Sequence, residues 1–200
     1  MNIDLFEKKS KSWDKKSRRV ENAKNIAEFA ISKIKLKPTM HLMDLGAGTG
    51  LLSFFFAPYV GKITAVDNSA SMLEVFQKKT NEFECETNSI MIDYTKQDLD
   101  KKFDGIISSM TLHHIKDIKN LFKKLYNSLN NGGFIALADL EKEDGTFHSD
   151  NTGVYHFGFD TEEILEVAKE VGFKNISINT ASNIKKPHNN FDIFLLIGYK

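Results

Sequence analysis

Residues 40–50 decide the fold, and they read Met40-His41-Leu42-Met43-Asp44-Leu45-Gly46-Ala47-Gly48-Thr49-Gly50. An apolar run with the character of a buried strand stops at Asp44 and opens into a glycine-rich turn. The apolar stretch at 51–60 then predicts a helix. A strand, a glycine turn and a helix in this order present backbone N–H groups at a helix N-terminus, where a nucleotide-like ligand can bind.

The spacing of the glycines disfavours a dinucleotide site. The dinucleotide fingerprint is G-x-G-x-x-G, and Gly46 and Gly48 fit its first two positions. The third glycine, Gly50, comes one residue early, and Leu51 stands where that glycine is expected. A nicotinamide-dependent oxidoreductase therefore stays an alternative that this spacing argues against.

The composition is that of an ordinary globular chain. The 200 residues suffice for one domain with a sizeable core, and 41% of them are hydrophobic. The 27 basic and 27 acidic side chains balance, so no net charge attracts nucleic acid or an anionic membrane. Cys85 is the single cysteine, which excludes an internal disulfide. With no signal peptide or membrane-spanning stretch, these features indicate the cytoplasm.

Short apolar strands alternate with helices along the chain. Pro38 separates a helical segment, residues 1–38, from a core at 39–200, and the whole chain is expected to be a single domain. The alternation predicts a parallel sheet covered on both faces. The predicted strands lie at 41–45, 62–66, 89–92, 105–109, 134–138, 175–179 and 192–198, and the predicted helices at 51–60, 71–79, 118–129 and 161–171.

The last two predicted strands enclose a polar loop without helical periodicity. This loop is too poor in helix for a crossover, so the two strands are expected to form an antiparallel hairpin at one edge of the sheet. The segment Asn130-Asn131-Gly132-Gly133 is a helix stop before the fifth strand.

A carboxylate ends the second predicted strand. Asp67 lies about 20 positions beyond the glycines, where an acidic side chain accepts hydrogen bonds from ribose hydroxyls. The same residue could instead cap the next helix, a role for which Asn68 and Ser69 are equally suited.

Two more polar segments follow the third and fourth strands. Asp93-Tyr94 comes directly after the third strand, with Asp98 as a competing candidate in a more polar interval. The fourth strand lies in the stretch 103–115, which reads F-D-G-I-I-S-S-M-T-L-H-H-I.

Three features occur in order along the chain: D-L-G-x-G-x-G, the acidic end of the second strand, and F-D-x-I-x-S followed by L-H-H-I. Together they resemble the S-adenosylmethionine (SAM)-dependent methyltransferases of class I, the small-molecule type. The resemblance is most specific over residues 42–115. It implies an α/β fold: a Rossmann-like seven-stranded, mostly parallel sheet with an antiparallel C-terminal hairpin, helices on both faces and extra N-terminal helices. It also implies SAM as cofactor, with S-adenosylhomocysteine (SAH) as product. The cofactor-binding residues that it implies are Asp44, Gly46, Ala47, Gly48, Gly50, Asp67, Asn68, Met72, Asp93, Tyr94, Ser109 and Met110.

The resemblance also implies roles for some of these residues. Met72 would pack on the adenine, and Asp93 would accept a hydrogen bond from the adenine amino group. The backbone at Ser109 and Met110 would meet the methionyl amino group. Asp44 would orient the glycine loop or meet the ligand's ammonium group.

Methyl transfer from a sulfonium is an in-line displacement, so alignment matters most and a base is needed only if the acceptor loses a proton. The acceptor site is expected at the carboxyl ends of the fourth and fifth strands. Four histidines there could orient the acceptor or act as a base, although each could equally be structural. They show no H-x-x-x-H spacing, so no metal is predicted. The four candidates are His113, His114, His148 and His156.

The sequence therefore predicts a SAM-dependent methyltransferase acting on a small-molecule acceptor. The alternative is a SAM- or SAH-binding protein without catalysis, a sensor or partner subunit. Nucleic acid and membrane partners are not expected, and a monomer or a homodimer is. The N-terminal helices are expected to fold over the acceptor site as a lid. Trp13 could cover the cofactor pocket or could equally pack on the sheet domain.

Overall fold

In the computed structural model, Asp14, residues 17–187 and residues 189–200 are described. They form a sheet of seven strands in the order β3-β2-β1-β4-β5-β7-β6. The strands are β1 (His41–Leu45), β2 (Lys62–Asp67), β3 (Glu86–Met91), β4 (Phe103–Ser109), β5 (Leu129–Leu140), β6 (Lys174–Lys186) and β7 (Asn189–Tyr199). The helices are α1 (Ser17–Lys33), α2 (Leu51–Phe56), α3 (Ala70–Lys78), α4 (Ile118–Ser128) and α5 (Thr161–Val171).

Strands β1 to β5 pair in parallel, and β7 pairs antiparallel with both β5 and β6. This arrangement confirms the predicted seven-stranded α/β sheet with its C-terminal hairpin. One N-terminal helix, α1, lies within the described residues. No described helix has the length and apolar character needed to cross a membrane.

Alternate residues of each central strand are buried on opposite faces of the sheet, which is why these strands read as continuous apolar runs. Leu42 and Ile107 pack with α1 and α2 on one face, whereas Met43 and Ile106 pack with α4 and α5 on the other. The sheet is thus covered on both sides, and its strand ends are left to form sites.

The prediction of a long polar loop between the last two strands is wrong. Strands β6 and β7 continue as a hairpin until Lys186 pairs with Asn189. One face of β6 is largely exposed, so its polar residues do not show the apolar pattern by which the buried strands are recognised.

The predicted stop at 130–133 is also misplaced. Helix α4 ends at Ser128, and β5 begins at once with Leu129 opposite Phe103. Gly132 adopts a φ of 80°, and the β4–β5 register is irregular between Phe103 and Gly105. The glycines therefore shape an irregular strand start rather than a separate turn.

Two element ends differ from prediction by a few residues. Helix α2 ends at Phe56 and continues as a 3₁₀ turn over Ala57–Tyr59, which contains Pro58; proline lacks the N–H that a longer α-helix would need. Strand β3 ends at Met91, so Asp93 lies two residues past it.

Candidate functional site

The glycine loop after β1 is held in a backbone conformation that favours glycine. Gly46, Gly48 and Gly50 have φ values of 66°, 56° and 84°. The amide of Gly46 donates to the carbonyl of Val66 at 2.7 Å, which ties the loop to β2. A Cβ at Gly46 would lie 2.2 Å from Oγ1 of Thr111, so this position has no room for a side chain.

The loop is open at Gly48. A Cβ there would have the sulfur of Met72 as its nearest neighbour, at 4.0 Å. Met72 itself is buried, at 3% exposure. Gly48 therefore leaves its backbone accessible beside an apolar side chain, which is what close approach of a ligand requires.

Asp67 joins the loop to the start of α3. One carboxylate oxygen accepts from the amide of Gly48 and the other from the amide of Ser69, both at 2.8 Å. The helix cap is Ser69, whose hydroxyl accepts from the amide of Met72, while Asn68 is exposed. Because a carboxylate has about four acceptor positions, Asp67 can bind hydroxyl donors besides these amides.

Asp44 lies beneath the loop, at 1% exposure. The hydroxyl of Ser53, in α2, donates to its carboxylate at 2.6 Å. Burial, together with the negative charge of Asp67, raises the pKa of Asp44 to about 7, although the Ser53 hydrogen bond works against that rise. The structure therefore connects Asp44 to the helix that follows the loop, and Ala47 is buried in the loop itself.

The structure distinguishes between the two acidic candidates that follow β3, Asp93 and Asp98. The amide of Ile92 donates to the carbonyl of Asp67, which brings Asp93 to the same sheet edge as the loop. Partial burial works against ionisation of Asp93, but hydrogen bonds from Lys96 and Thr95 lower its pKa. Asp98 is 89% exposed and pairs with Lys124 at the side of α4, away from that edge.

Tyr94 turns into the core. Its hydroxyl shares a hydrogen bond with the hydroxyl of Ser128 at 2.8 Å, and burial raises its pKa. The phenol is thus part of the packing under α4, so only the backbone of Tyr94 remains for a ligand.

The chain turns sharply after β4. Met110 has a φ of 58°, which is costly for a residue with a side chain, and its amide donates to the carbonyl of Ala138 at 2.9 Å. The next residue, Thr111, donates its hydroxyl towards the carbonyls of Ser109 and Gly46. Sequence reasoning missed Thr111. The only feature that identifies it is its small side chain, which packs against Gly46.

Three of the four candidate histidines come together over the ends of β4 and β5. The ring of His113 lies 4.2 Å from that of His114 and 4.9 Å from that of His148, centroid to centroid. His114 bonds the carbonyl of Gly153 through Nδ1. The pKa of His148 is lowered to about 4, first by burial and then by the charges that His113, His114 and Lys186 can carry. His148 is therefore neutral at pH 7.

The ring of His156 packs away from this cluster, although its backbone amide donates to the carbonyl of His113 at 3.3 Å. The Nε2 of His156 is 2.9 Å from the carbonyl oxygen of Ile115, and its ring packs on Phe159. A second side chain that sequence reasoning missed is Asp139, which is fully buried and lies 2.7 Å from Nδ1 of His113.

The N-terminal segment reaches the glycine loop through Asp14. Its carboxylate accepts from the hydroxyl of Thr49 and from the ammonium of Lys79, both at 2.5 Å. Trp13, which could cover the cofactor pocket or pack on the sheet domain, lies outside the described residues. Within the part of the chain that is described, no three His, Cys, Asp or Glu side chains are arranged to hold a metal ion.

Comparison with known proteins gives three informative matches besides a family model. Residues 42–133 match the model of a methyltransferase domain. Over 171 residues the chain is 32% identical to an uncharacterized methyltransferase of Schizosaccharomyces pombe, covering 77% of this chain and 58% of that protein. Over 160 residues it is 28% identical to phosphoethanolamine N-methyltransferase 1 of Zea mays, covering 77% of this chain and 32% of that protein. The structure of Haemonchus contortus phosphoethanolamine N-methyltransferase 2 in complex with S-adenosyl-L-methionine matches 100% of this chain and 60% of that one, with a TM-score of 0.73 and 17% identity.

The mixed sheet and the glycine loop at its carboxyl edge define a Rossmann-like domain of the methyltransferase type. The chain belongs to the class I SAM-dependent methyltransferases. The predicted family is thereby confirmed, and SAM is the cofactor that this family uses. The chain spans about three fifths of the yeast relative's length and about a third of the maize relative's.

Proposed function

We propose that this chain transfers the methyl group of SAM to a small-molecule acceptor. The observation that carries the proposal is the bond between Asp67 and Gly48, with 2.8 Å between carboxylate oxygen and amide nitrogen. It joins an open, left-handed glycine position to a carboxylate at the end of the second strand, which is the pairing that nucleotide-like ligands require.

The residues of this edge fit the cofactor. Gly46, Gly48 and Gly50 would let its methionyl and ribose parts approach the backbone, and Asp67 would accept from the ribose hydroxyls. Met72 and Asp93 would face the adenine, and the backbone at Ser109 and Met110 would face the methionyl amino group. When bound, the cofactor supplies an electrophilic methyl group and leaves as the neutral thioether SAH.

The acceptor would lie beside the cluster of His113, His114 and His148. The name of the maize relative, a phosphoethanolamine N-methyltransferase, supports a small amine as the first acceptor to test. The maize relative is about three times longer than the part matched here, so small amines are tested as a class rather than phosphoethanolamine alone.

A turnover assay tests this proposal. The full chain is incubated with SAM and a panel of small amines, hydroxy compounds and carboxylates that includes phosphoethanolamine, and SAH is quantified against a reaction without acceptor. Acceptor-dependent SAH formation supports the enzyme. SAH binding without turnover on any acceptor would instead favour the non-catalytic sensor or partner subunit.

We further propose a cytoplasmic location and a monomeric or homodimeric state. The support for the location is Cys85, a free thiol in the structure, which suits a reducing compartment. Cell fractionation and sedimentation velocity test these two proposals, and a secreted pool or a larger assembly would contradict them.

A further inference from the structure

Asp139 and His113 form a buried pair over the end of β5. Asp139 is 0% exposed and His113 is 1% exposed. The carboxylate lies 2.7 Å from Nδ1 of the imidazole, and it also accepts from the backbone amides of Leu140 and His113. These contacts fix the position and orientation of the imidazole ring.

The pair also fixes which ring nitrogen carries the proton. Although burial works against it, the neighbouring His113 and these hydrogen bonds lower the pKa of Asp139, so its carboxyl is ionised. An ionised carboxylate only accepts, so Nδ1 of His113 must donate; in the neutral imidazole the lone pair is then on Nε2. That Nε2 is buried and has no hydrogen-bond partner, which is unfavourable unless something completes it.

A second histidine ring packs against His113. His148 lies 4.9 Å from His113 between ring centroids, and its own Nε2 is likewise buried without a partner. The segment that carries His148 is flanked by Gly145 and Gly153, with φ values of 86° and 78°. Two neighbouring imidazoles therefore each have a buried nitrogen without a partner, and a hydrogen-bonding group of a ligand would satisfy it.

We propose that Asp139 is a positioning residue which holds His113 as the general base, and that the methyl acceptor carries its proton on the attacking atom, as an amine or a hydroxyl. This rests on the proposed function, and it places the acceptor beside Nε2 of His113. The other titratable side chains around the base are His114, His148 and, beyond His148, Lys186.

The chemistry balances without a further reagent. Nε2 of His113 takes the proton from the acceptor as the acceptor's lone pair forms the bond to the methyl carbon. The electron pair of the carbon–sulfur bond stays on sulfur. Asp139 stabilises the imidazolium that results, and the proton then leaves to water. A tertiary amine or a thioether has no proton to give and would gain nothing from this base.

Nitrogen NMR tests the tautomer without any acceptor. In the full chain labelled with ¹⁵N-histidine at pH 7, His113 is expected to show a protonated Nδ1 and an unprotonated Nε2. Asp139→Asn is expected to convert it partly or wholly to the other tautomer, whereas Asp104→Asn, at the opposite sheet edge, leaves it unchanged. A wild-type His113 protonated at Nε2, or a spectrum that Asp139→Asn does not change, would overturn the proposal.

Kinetics test the base itself, with the amine or hydroxyl acceptor that gives the most SAH. Asp139→Asn is expected to lower kcat about 10²-fold with little change in KM for SAM, and the Asp104→Asn protein to stay within about threefold of wild type. His113→Gln keeps a donor for Asp139 but has no base, and it serves if Asp139→Asn does not fold. Its kcat should fall similarly, and unchanged kcat in either folded variant would refute the base.

The acceptor panel separates this proposal from the proposed function. Turnover only on tertiary amines or thioethers would overturn the base while leaving a methyltransferase. Absence of SAH with every acceptor would overturn both, although the NMR spectrum would still show whether Asp139 sets the tautomer.

Discussion

The hydroxyl of Ser53 donates a 2.6 Å hydrogen bond to the carboxylate of Asp44, and both residues are buried, at 0% and 1% exposure. Asp44 belongs to β1 and Ser53 to α2, so the bond spans the glycine loop that connects them. Because burial raises the pKa of Asp44 to about 7, the charge directly beneath the loop changes near neutral pH.

Asp44 should make stability depend on pH. Between about pH 4 and pH 7 the folded protein keeps a proton that the unfolded chain has released, so stability falls as pH rises through this window, by up to about 1.4 kcal/mol per pH unit. Asp44→Asn stays uncharged. The free energy of unfolding of the wild type, minus that of Asp44→Asn, is therefore expected to fall from pH 4 to pH 7 in urea titrations and to level off above. A difference independent of pH would contradict the raised pKa.

Two glycine substitutions should separate folding from binding. Gly46→Ala places a methyl group 2.2 Å from Oγ1 of Thr111 and is expected to lower the melting temperature strongly. Gly48→Ala meets nothing closer than 4.0 Å, so it should cost only about 1–2 kcal/mol for its left-handed backbone. The folded Gly48→Ala protein is nevertheless expected to bind SAH more weakly. Equal melting temperatures for the two variants would contradict the geometry of the loop.

His148 should respond to pH in the opposite direction from Asp44. The pKa of His148 is about 4 in the folded protein and about 6.5 in the unfolded chain. Between these two pH values, only the unfolded chain binds the proton. The stabilisation by neutral His148 is thus complete above pH 6.5 and is lost as pH falls through 4. Urea titrations of the wild type and His148→Gln should show their difference shrinking from pH 7 to pH 4. A difference that grows on acidification would show that His148 is charged in the fold.

Asp14 should anchor the N-terminal segment to the loop. Its ion pair with Lys79 is partly buried, with side-chain exposures of 30% and 22%, and the same carboxylate also accepts from Thr49. Asp14→Ala is expected to cost roughly 1 kcal/mol in thermal unfolding. The matched control is Glu166→Ala, whose pair with Lys169 is exposed at 62% and 54%, and it should change stability by less than about 0.5 kcal/mol. Similar effects of the two variants would remove the anchoring role.

The sheet and the loop could be predicted because their signals are local. The buried strands each contain a run of apolar residues, and Gly46, Gly48 and Gly50 adopt the left-handed backbone that their spacing suggests. The length of the β6–β7 hairpin could not be predicted, because the exposed face of β6 carries polar residues of the kind that are also found in loops.

The acceptor side shows the limit of sequence reasoning. Four histidines were identified by type and position, but the pattern could not show that His156 is bonded to a backbone carbonyl while His113 is bonded to Asp139. These two residues are 26 positions apart and meet only because β4 and β5 are neighbours. Asp139 follows the predicted fifth strand at 134–138, but nothing in the pattern showed that its carboxylate is buried against His113.

The central claim is that Asp67 and the glycine loop hold the cofactor, and calorimetric titration with SAH tests it most directly. The matched control for Asp67→Asn is Asp98→Asn, which removes the exposed carboxylate that competed in the sequence. Wild type and Asp98→Asn are expected to bind SAH alike, and Asp67→Asn at least about tenfold more weakly, or about 1.4 kcal/mol. Absence of binding by the wild type, or undiminished binding by folded Asp67→Asn, would contradict the account.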